Sequence, residues 1–194
     1  MKIAILIAAY NAAPFIGDAL ASLLRQRDAA ELDIIVVDDG STDGTGAILA
    51  RVASEAPEVR IATTPNRGIA RTRNELLRML APDTDLVTLL DADDLSPAGR
   101  LARDLERFAE DPGLDLTYGA ARLFRLVGED PLAPDPDGPM LDVRGVVLGC
   151  GLFRHSLIRR VGSFDESFEQ GEDMDFLFRV FELEPRYRLL DDIC

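Results

Sequence analysis

The chain has 194 residues, 47% of them hydrophobic, and a formal net charge of −14. That length fits one domain, or one domain with an appendage, and the apolar share is enough for a packed core. An acidic excess of this kind argues against nucleic-acid or anionic-membrane partners, which need a basic footprint. Along the chain, Ile3-Ala4-Ile5-Leu6-Ile7 is a continuous apolar run that predicts a buried strand. Phe15, Ile16, Leu20, Leu23 and Leu24 follow at helical spacing, with Asn11 a candidate N-cap. Asp33-Ile34-Ile35-Val36-Val37 predicts a second strand, which runs into Asp38-Asp39-Gly40-Ser41. A helix is expected over residues 44–55, a short strand over 60–63, a helix over 69–80 and a fourth strand over 86–90. Strand–helix alternation implies a mostly parallel sheet with helices on both faces.

The second half is less regular. Residues 97–109 read as a helix and residues 114–127 as one or two strands. Residues 128–139 hold four prolines, two glycines, three aspartates and a glutamate, and predict a mobile loop. Extended structure resumes over 143–153, and a helix is expected to begin near Glu172.

Several chemistries are excluded early. The only lysine is Lys2, so P-loop and Schiff-base mechanisms lack their central residue. Cys150 and Cys194 have no metal-type spacing and are expected to be ordinary thiols in a reducing cytoplasm. The only histidine, His155, has no evident catalytic partner. The opening apolar run is too short for a secretory leader, and no stretch approaches the ~20 apolar residues of a membrane span. A cytoplasmic protein is expected.

Ligands of parallel α/β sheets bind beyond the carboxyl ends of the strands. Four segments bring polar groups there: Ala9-Tyr10-Asn11, Asp38-Asp39-Gly40-Ser41, Asn66-Arg67-Gly68, and Asp91-Ala92-Asp93-Asp94. The last places three carboxylates in four residues, where they repel one another unless a cation sits among them. Hard divalent cations use one or two carboxylates together with substrate phosphates. Arg67, Arg71 and Arg73 open a helix, where the macrodipole disfavours cations and a bound anion would relieve the conflict. Gly171-Glu172-Asp173-Met174-Asp175 is a further acidic cluster, read either as dipole partners of a helix start or as the source of a general base.

Taken in order, these segments resemble the family 2 inverting glycosyltransferases, from about Lys2 to about Asp191. The matching motifs are Ala8-Ala9-Tyr10-Asn11, Val37-Asp38-Asp39-Gly40-Ser41-Thr42-Asp43, Asn66-Arg67-Gly68 with Ala70-Arg71 and Asn74, and Leu90-Asp91-Ala92-Asp93-Asp94. Near the end come Val161-Gly162-Ser163-Phe164-Asp165-Glu166 and Gly171-Glu172-Asp173-Met174-Asp175 with Arg179. The resemblance implies an α/β GT-A fold in one domain over 1–194, with residues 1–95 binding the nucleotide sugar and 96–194 supplying the acceptor site and the base. It implies that Ala8, Ala9 and Tyr10 line the nucleotide site, that Asp39 bonds a uracil-type base, and that Arg71 lies near the base or diphosphate. It makes Asp93 the direct ligand of Mg²⁺ or Mn²⁺, with Asp91 or Asp94 assisting through ribose or water, and Asp173 the catalytic base. Residues 147–153 would lie below the donor sugar.

The implied function is metal-dependent inverting transfer from a nucleotide-diphosphate sugar, UDP-linked by family expectation, to an acceptor hydroxyl in polysaccharide or glycoconjugate synthesis. A nucleotide-sugar-binding protein without transferase activity is the alternative. Sugar nucleotidyltransferases and phospho-acceptor signalling modules fit less well, for want of a Gly-rich loop after the first strand and of a lysine at a later strand end. The Gln-x-x-Arg-Trp signature of processive synthases is absent. Family members usually continue past the position of Cys194, so the expected acceptor side is incomplete, differently built or completed by another subunit. A homodimer is one assembly this admits.

Overall fold

The computed structural model describes residues 1–127, 133–135, 137–144 and 147–194. Strands β1 (Lys2–Ala9), β2 (Glu31–Asp38), β3 (Val59–Thr63) and β4 (Leu86–Leu89) alternate with helices α1 (Ile16–Leu24), α2 (Thr45–Glu55) and α3 (Ile69–Arg78). There follow α4 (Arg100–Glu110), β5 (Leu116–Phe124), β6 (Leu126–Val127), β7 (Ala133–Pro134) and β8 (Met140–Val143). A 3₁₀ turn (Leu148–Cys150), β9 (Gly151–Arg154), α5 (His155–Val161), α6 (Glu172–Glu182) and β10 (Tyr187–Ile193) complete the chain.

One eight-stranded sheet runs in the order β10-β5-β9-β4-β1-β2-β3, with β8 paired to β5; β6 and β7 form a separate two-stranded pair. The pairings β1–β2, β1–β4, β2–β3 and β5–β10 are parallel, whereas β9 is antiparallel to both of its neighbours. The apolar runs of β1 and β2 are buried on both faces, as a sheet covered by helices on each side requires. On one face Ile3, Ile5, Ile7, Ile34 and Val36 pack with residues of α1, α2 and α4. On the other, Ala4, Leu6, Ile35 and Val37 pack with α3, α5 and α6. Each fully buried Ile or Leu contributes roughly 1.5–3 kcal/mol, so this two-sided core dominates the stability of the first half. Among the described residues no helix is long and apolar enough to cross a membrane.

Several expectations are refined. Asn11 is not the N-cap of α1: it adopts a left-handed φ of 49°, and its Oδ1 accepts from Thr42 N at 2.8 Å. The helix expected from residue 97 begins at Arg100, because Arg100 N closes a turn on Pro97 O at 3.1 Å. The extended stretch over 143–153 is split by the 3₁₀ turn before β9, where a Cβ on Gly151 would collide with the Phe153 ring. Of the expected 128–139 loop, Ala133 and Pro134 pair with β6, while 128–132 and 136 lie outside the described residues. Strand β10 was not anticipated: it is mostly exposed, and its Leu189 and Leu190 are adjacent rather than alternating with polar residues. The thiols of Cys150 and Cys194 meet in a hydrogen bond, which pushes Cys150 up, as burial also does, and draws Cys194 down against the effect of burial.

Candidate active site

The register of the parallel strands brings the expected segments together. Ala9 pairs with Asp38, and Asp38 with Thr63, so the loops after β1, β2 and β3 leave the sheet side by side. Leu6 pairs with Leu89, and Leu90 N donates to Leu6 O at 3.1 Å, which sets the Asp91 turn beside the end of β1.

The first two loops are stitched to each other. Asn11 N donates to Ser41 Oγ at 2.9 Å, Ala12 N to Thr45 Oγ1 at 2.8 Å, and Ala13 N to Asp43 Oδ2 at 3.1 Å. The third loop is held by Asp39. Its buried carboxylate accepts from Arg67 N at 3.0 Å, Gly68 N at 2.9 Å and Thr64 Oγ1 at 3.2 Å. Gly40, at φ 76°, lets the chain turn against this loop: a Cβ there would stand 2.8 Å from Asn66 N. Ala8, Ala9, Tyr10 and Asp39, with Asn66, Gly68, Ile69 and Thr72, line a cavity of about 180 Å³. Tyr10 is 52% exposed at its rim, so a planar ring could stack on it without displacing core. Asp39 thus both lines the cavity and shapes its far wall.

Arg71 does not line this cavity. It donates from Nε to Glu166 Oε2 at 3.2 Å on an exposed part of α3. The arginine that reaches the acidic turn is Arg73, whose Nη2 donates to Asp91 Oδ1 at 3.1 Å and whose Nη1 donates to Glu172 Oε1 at 2.5 Å. Sequence reasoning placed Arg73 among the helix-opening cations that suit an anion and Glu172 in the acidic cluster, but did not pair the two, although a signal existed. Arg73 lies three residues from Ala70 and from Leu76, within the buried stripe of α3, where an unpaired charge is not tolerated.

Asp91, Asp93 and Asp94 share one tight turn, closed by Asp94 N donating to Asp91 O at 3.0 Å. The Asp94 carboxyl is pushed up to about 6, first by desolvation in the crowded loop, then by the charges of Asp91 and Asp93. Asp93 lies at a narrow apolar cleft with Phe15, Leu95, Phe124 and Leu126, which come from both halves of the chain. Asp173 is the second residue of α6, half-buried, with Oδ1 accepting from Met174 N at 2.9 Å. Its charge is felt by Tyr118, whose phenol is pushed up to about 12, mainly by burial. Tyr118 itself is tied to Val147, accepting from its N at 2.6 Å and donating to its O at 2.8 Å.

Among the described residues no three His, Cys, Asp or Glu side chains converge as a metal cage.

The model described as "Glycosyl transferase family 2" matches residues 4–129. Over 97% of its length the chain is 28% identical to "Succinoglycan biosynthesis protein ExoU" of Rhizobium meliloti, covering 59% of that protein. Over its full length it is 32% identical to an uncharacterized glycosyltransferase of Nostoc sp., covering 58% of it. The chain thus spans less than two thirds of these curated relatives. Among solved structures, S. aureus TarS 1-349 in complex with UDP superposes with a TM-score of 0.76 at 21% identity, over 99% of this chain and 58% of that one. The mannosyltransferase PcManGT of Pyrobaculum calidifontis, in complex with GDP-Man and Mn²⁺, gives 0.71 at 22%, over 98% and 55%. The fold shared with these structures is GT-A.

Proposed function

This chain belongs to glycosyl transferase family 2, and we propose that it moves a sugar from a nucleotide-diphosphate donor, UDP-linked, to an acceptor hydroxyl with inversion, in polysaccharide or glycoconjugate synthesis. The observation that carries this reading is the convergence of the Tyr10–Asp39 cavity, the Asp91–Asp94 turn and the start of α6 at the carboxyl ends of β1, β2 and β4. The relatives lend support: TarS is described with UDP, PcManGT with GDP-Man and Mn²⁺, and ExoU as a succinoglycan biosynthesis protein.

In this reading residues 1–95 bind the donor, and residues 96–194 supply the acceptor side and the base. Ala8, Ala9 and Tyr10 pack the base and ribose, and Asp39 accepts a hydrogen bond from the base edge. Arg71, now paired with Glu166, would reach the nucleotide only by leaving that partner. Asp93, with Asp91, would hold Mg²⁺ or Mn²⁺, which when bound offsets the charge that develops on the departing diphosphate. Asp173 takes the proton from the acceptor hydroxyl as that oxygen attacks the anomeric carbon on the face opposite the diphosphate. The new glycosidic bond forms as the bond to the diphosphate breaks, so the configuration inverts in one displacement and no covalent enzyme intermediate arises.

Calorimetric titration of UDP, GDP and dTDP, each with and without Mn²⁺, tests the donor half. One nucleotide is expected to bind in a Mn²⁺-dependent manner, and Asp93→Ala to lose that binding while unfolding at the wild-type temperature. Normal Mn²⁺-dependent binding by Asp93→Ala would remove Asp93 from the site. Asp173→Asn is expected to keep nucleotide affinity and lose transfer by about 10²–10⁴-fold, the usual worth of a general base. Parallel loss of binding would make Asp173 a binding residue, and binding without turnover in the wild type would favour a nucleotide-sugar-binding protein.

A further inference from the structure

Arg73 joins two segments that the sequence holds 81 residues apart, Asp91 and Glu172. Its side chain is buried, and so is that of Glu172, whereas the Asp91 side chain is 58% exposed. The guanidinium also lies 5.6 Å from the centroid of the Phe164 ring, and that ring stacks on Phe176 of α6 at 4.2 Å. Phe164 is itself pinned to α3, because Asn74 Nδ2 donates to its O at 3.0 Å and its N donates to Asn74 Oδ1 at 2.8 Å. Arg73 is thus fixed on its faces by packing and at its two prongs by carboxylates. A planar guanidinium can serve two carboxylates at once, which an ammonium point charge does poorly.

We propose that Arg73 is a positioning residue: it couples the donor-side carboxylate Asp91 to Glu172, and through Glu172 sets the direction of Asp173. This rests on the reading of Asp173 as the base. A carboxylate in the first turn of a helix ordinarily meets its own helix dipole; Glu172 instead reaches across to α3. Successive helical residues are offset by a fixed rotation, so anchoring Glu172 fixes where Asp173 points. Asp175, by contrast, pairs with Arg179 within α6, at 2.8 Å.

The test compares wild type with Arg73→Lys, Glu172→Gln, the double variant, and Asp175→Asn as a control for loss of an α6 ion pair. Glu172→Gln keeps an acceptor oxygen and the side-chain volume, which favours folding. Its expected signature is a split: donor KM and UDP–Mn²⁺ affinity near wild type, and kcat lower by about 10–100-fold, the scale of a displaced reacting group. Arg73→Lys should also lose kcat. The double variant should be no worse than the worse single, because both act through one bridge. Asp175→Asn should retain wild-type kcat.

A second readout does not depend on turnover. UDP–Mn²⁺ should slow amide hydrogen exchange in the first turn of α6 in the wild type and not in Glu172→Gln. A kcat within about twofold of wild type for Glu172→Gln, or losses that multiply in the double variant, would overturn the proposal. If the wild type transferred no sugar, the functional reading would fail separately. The exchange measurement would then decide the bridge, and no nucleotide-linked protection of α6 would overturn it.

Discussion

Three carboxylates within four residues cannot all ionise at ordinary cost, and Asp94 carries the consequence, with its carboxyl pushed up to about 6 by desolvation and by Asp91 and Asp93. The folded chain therefore binds more protons than the unfolded chain between about pH 4 and pH 6. Stability is drained as pH rises through that window, and the full penalty stands above pH 6. Without added divalent cation, Asp94→Asn should unfold higher than wild type at pH 7.5, by about 1 kcal/mol once solvent screening is allowed for, and match it near pH 4. Added Mn²⁺ should narrow the difference at pH 7.5, because a cation offsets the same repulsion. A scanning calorimetry series over pH checks this, and an advantage for Asp94→Asn that persisted at pH 4 would refute it. At this scale conspicuous charge drew the reading to Asp39, Asp91, Asp93 and Asp173, and the fold sets Asp39 and the Asp91 turn beside the end of β1. The sequence did not separate two arginines that stand two residues apart. Helical phase, rather than proximity to a motif, decides that Arg73 turns inward and Arg71 outward.

At the scale of elements, the loops after β1, β2 and β3 behave as one assembly because they bond to one another, and the Asp91 turn is tied in through Arg73 of α3. Gly40 is the tightest point: it sits at φ 76°, and a Cβ would meet Asn66 N at 2.8 Å and Thr64 O at 3.1 Å. Gly40→Ala should cost about 1–3 kcal/mol in urea unfolding, since strain and collision add. It should also weaken nucleotide binding, because the loop it displaces carries the Arg67 and Gly68 N–H groups that hold Asp39. A loss of stability with unchanged affinity would show that the loop relaxes without moving the cavity. The sequence announced β1 to β4 and α1 to α3 clearly, since their apolar periods are long and uninterrupted. It announced β10 hardly at all, because a parallel edge strand that buries only Leu190, with Leu189 exposed beside it, carries no alternating period to detect.

Across the whole molecule the parallel half and the mixed half meet at β4 and β9, and a buried arginine closes that seam. Arg100, the first residue of α4, donates from Nη2 to Thr88 Oγ1 at 3.0 Å and to Gly151 O at 3.3 Å. Its Nε lies 3.5 Å from Asp104 Oδ2, and the side chains of both residues are almost fully buried. This join was not legible in the sequence: the helix reading over 97–109 singled out neither Arg100 nor Asp104, and only the fold places them inward. Removing Arg100 leaves the buried Asp104 carboxylate with only Thr117 and the more distant charge of Arg103, so Arg100→Met should destabilise by about 3–5 kcal/mol at pH 8. Gly151 O would keep its bond from Thr88 Oγ1 at 2.7 Å, so the cost falls chiefly on Asp104. Burial already raises the Asp104 carboxyl, and loss of the neighbouring cation would raise it further. Acidification then lets Asp104 take up a proton and shed the buried charge, so the cost of Arg100→Met should shrink markedly between pH 8 and pH 5. Arg100→Met with Asp104→Leu should recover most of the loss at pH 8, because two apolar side chains replace a desolvated pair. Urea titrations at both pH values decide it. A cost independent of pH would mean that the geometry of the Thr88–Gly151 contacts, and not the stranded carboxylate, holds the two halves in register.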